Sequence, residues 1–255
     1  HSHMTSPRPI GVLGMAYDLS ARQLIRYSAT LWVACGADAG RRLFGKRWSS
    51  SGVVVSNGVD TGVFLAASAA RLRVRAELGV PDGWLLAGAV ARLVDVKNHS
   101  FMLGLVARSR DEGSLLSLAV VGDGPLRTSL QEQSRSLGIA DRVCFLGLRK
   151  DTPELFAAMD MVLMPSLREG LPVSLVEAQA SGSPVLVSDT VTREADLGLG
   201  LVTYLPLSDP SAWLDALGGV ARETDHGRIR RRFAETGYDC SASAQRLAHL
   251  YEGSA

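Results

Sequence analysis

The chain has 255 residues, of which 46% are hydrophobic and 21% are charged, and this composition is ordinary for a soluble globular protein. The net charge of +1 argues against nucleic acid as a partner, and no apolar run approaches the ~20 residues of a membrane span. The three cysteines form no C-x-x-C pair, and the apolar runs around Cys35 and Cys144 indicate buried thiols in a reducing, cytoplasmic compartment.

The first sixty residues predict a short α/β segment behind an irregular N-terminus. Residues 1–4 read as the remains of an expression tag and are left out of the fold. Helix-like spacing and short apolar runs predict two helices and two strands, expected at 19–30, 31–35, 37–44 and 53–55. The segment ends in the turn signal Asn57-Gly58-Val59-Asp60.

From residue 84 onward, short apolar runs alternate with amphipathic stretches. The runs predict strands at 84–90, 115–121, 143–146, 161–164 and 185–187. Helices are expected after each of the first four strands and, where the pattern loosens, at 210–222, 229–236 and 241–251. This alternation predicts an α/β, Rossmann-like parallel sheet with helices on both faces.

The most informative stretch is 165–189, which predicts a loop, a helix and a strand. Pro172 suits the first position of a helix, because that position needs no backbone N–H. Gly182 and Pro184 are the usual signals for a helix end. The loop therefore lies at the carboxyl end of a strand, where open α/β sheets bind ligands, and the helix directs its positive N-terminus into the same crevice.

Two glutamates, Glu169 and Glu177, bracket this element with seven residues between them. Taken alone, such a pair is explained by ion-pairing or solvent-facing roles at least as well as by a role in binding. The setting E-G-L-P-V-S-L-V-E-A, followed by A-S-G-S-P-V, resembles the donor-binding motif of family 4 retaining glycosyltransferases of the GT-B fold. The resemblance implies that Glu169 contacts hydroxyls of the transferred sugar and Glu177 the ribose of the nucleotide. It also implies a donor-binding turn whose backbone approaches the diphosphate, formed by Gly170, Leu171, Pro172 and Val173.

The same resemblance suggests how the chain divides. Residues 55–64, V-S-N-G-V-D-T-G-V-F, are similar to the crossing from the acceptor-side domain to the donor domain. The expected parts are a tag and irregular start at 1–15, a remnant of the acceptor-side domain at 16–60, a donor domain at 61–240 and a C-terminal helix at 241–255. Because the family's first domain is far longer, we expect a truncated chain or a partner chain that supplies the acceptor domain.

Two cations, Arg92 and Lys97, share the loop after the first strand of the predicted sheet. Surface cations with this spacing are usually solvated, but the setting G-A-V-A-R-L-V-D-V-K-N resembles the family's phosphate-binding loop. A diphosphate leaving group gains negative charge as its bond to the sugar breaks, so fixed cations stabilise the transition state more than the ground state. Arg92, Lys97 and Glu169 are therefore the predicted catalytic residues.

Two further turns invite comparison with nucleotide sites. Gly122-Asp123-Gly124 lacks the third glycine of a dinucleotide fingerprint, since Arg127 occupies that position. We interpret it as a tight strand-to-helix turn near the nucleotide and reject NAD. By resemblance, the loop of Leu148 and Arg149 holds the nucleobase. Arg149 either stacks on or borders the base, or is merely solvated.

Neither a cofactor nor a metal is expected. The chain contains no Asp-x-Asp, and His99, His226 and His249 lack metal-ligand spacing. His99 is expected to cap or flank a helix start. The basic cluster at 226–232 is interpreted as a solvated helix face, with contact to anionic lipid at the inner face of the membrane as the alternative.

The favoured hypothesis is the donor-binding half of a glycosyltransferase. It would transfer a hexose from a nucleoside diphosphate sugar to an acceptor hydroxyl with retention, in polysaccharide or glycolipid biosynthesis. The alternative is a non-catalytic nucleotide-sugar-binding fragment or subunit that needs a partner acceptor domain. A glycosidase would require the two glutamates about 5–10 Å apart across a sugar. The base, the sugar and the acceptor (glycan or lipid-linked) are left open.

Overall fold

The computed structural model describes residues 31–219 and 221–253, together with Ser20 and Leu24. The chain divides into two compact units, residues 1–56 and 57–255. The division falls inside the segment that resembles a domain crossing, while the roles assigned to the two sides stay predictions. The predicted irregular start, and most of the helix predicted at 19–30, lie outside the described residues.

The described part of the first unit is a small βαβ arrangement. Strand β1 (Trp32–Ala34) pairs in parallel with β2 (Gly52–Val54), and helices α1 (Ala37–Phe44) and α2 (Trp48–Ser51) connect them. Trp32 stacks on Phe44 with ring centroids 5.2 Å apart, and Phe44 stacks on Trp48 at 5.6 Å. A small aromatic cluster therefore forms the core of this part.

The second unit is built on a six-stranded parallel sheet. Its strands are β3 (Leu85–Val90), β4 (Leu116–Val121), β5 (Val143–Gly147), β6 (Met161–Met164), β7 (Val185–Ser188) and β8 (Val202–Leu205). Their order across the sheet is β5-β4-β3-β6-β7-β8. The predicted parallel α/β sheet is confirmed, with β8 as an additional edge strand.

Helices cover both faces of this sheet. They are α3 (Thr61–Ala66), α4 (Arg71–Glu77), α5 (His99–Asp111), α6 (Arg127–Ser136), α7 (Thr152–Ala158), α8 (Val173–Ala180), α9 (Pro210–Ala216), α10 (His226–Thr236) and α11 (Cys240–Tyr251). One hydrophobic cluster packs α3, α4, α7, α8 and α10 against the sheet, and a second packs α5, α6 and α9 against it. None of the described helices is long and apolar enough to cross a membrane.

Aspartates at the N-caps set where several of these helices begin. Asp60, Asp209, Asp225 and Asp239 each accept hydrogen bonds from backbone N–H groups of the first turn that follows. Each such cap stabilises its helix by about 1 kcal/mol. The caps explain why α10 and α11 begin earlier than predicted. The helix predicted to reach residue 222 ends at Ala216.

Helix α4 is fixed to the sheet by an aspartate. Asp160, just before β6, pairs with Arg71 and accepts a hydrogen bond from Arg75 at 2.9 Å. It also accepts one from the backbone N–H of Leu86 in β3 at 2.7 Å. The three cysteines form no disulfide and are half-buried, so Cys35 and Cys144 are less buried than predicted.

Candidate functional site

The strand order reverses direction between β3 and β6. The chain runs outward from β3 through β4 to β5, returns to β6, and then runs through β7 to β8 on the other side. The loops after β3 and β6 therefore separate at a topological switch point, where open α/β sheets bind their ligands. The backbone N–H of Leu167 donates to the carbonyl of Val96 at 2.8 Å and joins these two loops.

A cleft of about 830 Å³ opens at this edge of the sheet. It is lined by Val90, Ala91, Arg92, Val121, Gly122, Asp123, Gly124, Pro125, Leu148, Arg149, Thr152, Ser174 and Glu177. The loops after three neighbouring strands and the first two turns of α8 thus converge on one space. Four of the predicted site residues, Arg92, Leu148, Arg149 and Glu177, line it together.

The wall of the cleft depends on two glycines in the turn after β4. Gly122 has a φ of +132°, and a β-carbon there would lie 2.0 Å from the carbonyl oxygen of Ala91. At Gly124 a β-carbon would lie 2.4 Å from the carbonyl oxygen of Leu93. Only glycine allows the loops after β3 and β4 to approach so closely. The predicted tight strand-to-helix turn is confirmed.

The second predicted cation, Lys97, is paired with Glu169. It ends a turn of 3₁₀ helix, Asp95–Lys97, and its ammonium donates to the Glu169 carboxylate. The two side chains are 20% and 13% exposed. The structure thus brings two of the three predicted catalytic residues into contact with each other. Neither of them lines the cleft, so the two glutamates do not face each other across it as a glycosidase would require.

The donor-binding turn differs from its prediction in one position. Pro172 is the N-cap of α8 rather than its first residue, because its ψ of 109° is extended and Val173 begins the helix. Gly170, Leu171, Pro172 and Val173 precede the cleft-lining Ser174 in the chain and are not among the residues that line the cleft. A β-carbon at Gly170 would meet no atom within 4 Å, so the fold itself does not require glycine there.

Glu177 and Ser174 face the cleft from α8. They are three residues apart, which places both on one face of the helix. Ser174 was not predicted, although its spacing from Glu177 could have indicated it. In the described part of the chain, no group donates a hydrogen bond to the Glu177 carboxylate. Burial raises the pKa of that carboxyl above its usual value.

Replacing Glu177 with glutamine is therefore expected to raise the Tm at pH 7, by a few degrees at most. At that pH the folded protein holds a half-buried charge that the unfolded chain solvates. As the pH falls through the raised folded pKa and the ordinary unfolded pKa, the glutamate becomes neutral in both states and the gain disappears. Thermal unfolding at pH 7 and pH 3.5 measures this, with the exposed Glu112→Gln as control. A Tm below wild type at pH 7 would contradict it.

Arg149 is paired with two carboxylates rather than merely solvated. Its guanidinium donates to both carboxylate oxygens of Asp151, at 2.8 and 2.6 Å, and to Glu77 at 2.9 Å. The hydrogen bonds to Asp151, and then that to Glu77, raise the pKa of Arg149. The solvated alternative is wrong. Leu148 beside it is 82% exposed at the rim of the cleft and presents an apolar surface.

His99 is the first residue of α5, as predicted for a residue that flanks a helix start. Its side chain is 2% exposed, and neither ring nitrogen has a hydrogen-bond partner. Burial, and then the positive charge of Lys97, lower the pKa of His99 to about 4. The imidazole is therefore neutral at pH 7.

No group of three or more His, Cys, Asp or Glu that could hold a metal occurs among the described residues. The metal and cofactor expectations stay predictions.

The basic cluster of α10 is largely paired with nearby acids. Arg228 pairs with Glu223, and Arg232 lies 3.2 Å from Glu235. The opposite face of the helix buries Ile229. These pairs are typical of a solvated helix face, and contact with lipid stays a prediction.

Two sequence comparisons place this chain among known proteins. Residues 71–196 match the family model described as glycosyl transferases group 1. The chain is 41% identical over 238 residues to a Bacillus subtilis (strain 168) protein named "Putative glycosyltransferase EpsF". This alignment covers 90% of the chain and 61% of that protein. It is 35% identical over 176 residues to D-inositol 3-phosphate glycosyltransferase of Nocardia farcinica, covering 63% of the chain and 38% of that protein. The chain thus spans less than two thirds of the length of these curated relatives.

Solved structures show the same fold. Anabaena Alr3699/HepE in complex with UDP and glucose superposes with a TM-score of 0.75 at 21% identity, over 93% of this chain and 67% of that one. WaaG, a glycosyltransferase involved in lipopolysaccharide biosynthesis, gives a TM-score of 0.67 at 21% identity, over 96% and 67%. The fold is that of GT-B glycosyltransferases.

Proposed function

We propose that this chain, whose residues 71–196 match the model of group 1 glycosyltransferases, belongs to that family. In this role it would bind a nucleoside diphosphate hexose and take part in transferring the hexose to an acceptor hydroxyl with retention. In this proposal it is a family 4 hexosyltransferase that needs no metal. The cleft at the switch point is its donor site. The acceptor, whether a glycan or a lipid-linked molecule, and any contact with a membrane surface or a partner chain are part of the proposal.

The observation that carries the proposal is the set of groups that meet in the cleft. Arg92 supplies a cation from the loop after β3, and the α8 N-terminus adds the partial positive charge of its unpaired N–H groups. The glycine turn after β4 allows the loops after β3 and β4 to pack closely together at the wall of the cleft. These features suit a diphosphate, which carries several negative charges in a small volume.

The remaining groups suit a nucleoside. Glu177 has no hydrogen-bond donor of its own in the described part of the chain, so its carboxylate can accept from the two hydroxyls of a ribose. Leu148 and the fixed Arg149 offer an apolar surface and a planar cation to a base. Gly170 needs no glycine for the fold, which suits a close approach by the sugar or the diphosphate.

In the proposed reaction, negative charge develops on the diphosphate, which the cations and the helix N-terminus would stabilise. The bond between the anomeric carbon and the diphosphate oxygen breaks, and its electron pair leaves with the diphosphate. The acceptor oxygen forms the new bond to that carbon and gives up its proton. Arg92 and Lys97 would hold the growing negative charge, as would the α8 N-terminus. The known ligands UDP and UDP-glucose of Alr3699/HepE support a uridine nucleotide as the first donor to try.

Calorimetric titration of the purified chain with UDP, GDP and ADP, and then with their hexose conjugates, tests the proposal. We expect one nucleoside diphosphate to bind with a Kd of about 1–100 μM, and its affinity to fall as salt is added. Inorganic diphosphate and uridine serve as partial ligands that report the two halves of the site. A folded chain that binds no nucleotide would overturn the assignment of the cleft. Binding without any sugar transfer would favour the non-catalytic alternative.

A further inference from the structure

The ion pair between Lys97 and Glu169 joins two loops that the proposed function assigns to different parts of the donor. Lys97 belongs to the loop after β3, which would contact the diphosphate, and Glu169 to the loop after β6, which would contact the sugar. The backbone bond from Leu167 to Val96 holds the loops together at the same place. At 20% and 13% exposure, the two charges are only weakly screened by solvent. In the unliganded structure the pair therefore lies where the loops after β3 and β6 meet, outside the residues that line the cleft.

We propose that Glu169 competes with the donor's diphosphate for the ammonium of Lys97, and that this competition makes the site discriminate between the sugar nucleotide and the nucleoside diphosphate product. The inference rests on the proposed function. A lysine ammonium is a compact charge on a flexible stem with three donors, so it can exchange one anion for another without moving the backbone.

The sugar nucleotide and the nucleoside diphosphate differ in the hydrogen-bond donors that they offer the Glu169 carboxylate. When a sugar nucleotide takes Lys97, hydroxyls of the sugar can donate to the Glu169 carboxylate and replace the lost ion pair. When the product takes Lys97, no hydroxyl is present. The carboxylate is then left without its cation, beside a terminal phosphate that carries more negative charge than the phosphate of the sugar nucleotide. Glu169 therefore favours the substrate and speeds the departure of the product.

Replacing Glu169 with glutamine separates these effects, because it removes the charge and keeps the size. We expect the variant to bind UDP about three- to tenfold more tightly than wild type, since Lys97 is released from its carboxylate. It should bind the UDP-hexose about tenfold more weakly, since the sugar loses a charged acceptor. Calorimetry with both ligands at one ionic strength measures the two changes. A general structural defect would move both in the same direction.

Two further variants make the test specific. Glu112→Gln removes an exposed charge directly after the C-terminal end of α5, whereas Lys97 precedes its N-terminal end. This variant should leave both Kd values unchanged. In a Lys97→Gln background, Glu169→Gln should no longer improve UDP binding, because the ammonium for which Glu169 and the diphosphate compete is absent. An improvement that persists in that background would show a general effect of charge and overturn the inference.

The outcomes also separate this inference from the function on which it rests. Wild-type protein that binds neither ligand defeats the proposed function. Wild-type protein that binds both, with a Glu169→Gln variant whose UDP affinity is unchanged or weaker, leaves the function standing and overturns the competition. Opposite shifts for the two ligands, abolished without Lys97, support it.

Discussion

Replacing Arg92 with methionine is expected to weaken binding of the nucleoside diphosphate hexose by about 30- to 100-fold. Of the two cations predicted to hold the diphosphate, Arg92 is the one that lines the cleft. A guanidinium donates hydrogen bonds to a phosphate, and the net loss of one bond to a charged group costs about 1.5–3 kcal/mol, which corresponds to that factor. Methionine keeps most of the length of the side chain and removes its charge.

Isothermal titration of both proteins at matched ionic strength measures this loss. The affinity of the variant should also depend less steeply on salt, because one charge has left the site. Arg135→Met in the last turn of α6, at the far end of that helix from the glycine turn, is the matched control. It should bind like wild type. An Arg92→Met variant with wild-type affinity would remove Arg92 from the site.

Elements with a strong local signal could be predicted from the sequence. The central strands are short apolar runs bounded by turn residues, so β3, β4, β6 and β7 were placed within a residue or two of their observed ends. The edge strand β5 was predicted to within one residue of its observed end, whereas the edge strand β8 was missed. Its residues are half-buried, and the stretch before it is rich in glycine. Edge strands carry a weaker apolar pattern than central ones.

The contacts within the site could not be predicted in the same way. Lys97 and Glu169 are 72 positions apart, as are Arg149 and Glu77. Whether such residues meet depends on which strands are neighbours and on how their loops leave the sheet. The local sequence pattern predicted loops at the carboxyl ends of the strands and a helix after the loop that follows β6. Because these ends share one edge of the sheet, that was sufficient to predict that Arg92, Leu148 and Glu177 meet at one cleft. The partner of each charge followed only from the strand order.

The second large effect is expected from the glycine turn. Gly122→Ala should lower the free energy of unfolding by about 2–4 kcal/mol and abolish nucleotide binding. An alanine would adopt a φ of +132° only with strain, and its β-carbon would lie 2.0 Å from the carbonyl oxygen of Ala91. The loops after β3 and β4 would have to separate, and both of them line the cleft.

Gly104→Ala in α5 is the matched control for this change. A β-carbon there meets no atom within 4 Å, and alanine favours a helix interior by about 0.5–1 kcal/mol over glycine. That variant should be slightly more stable than wild type and should bind nucleotide equally well. Urea unfolding measures the stabilities, and calorimetry at a temperature where both variants are folded measures binding. If Gly122→Ala matched wild type in both, the close approach of the two loops would not be what shapes the cleft.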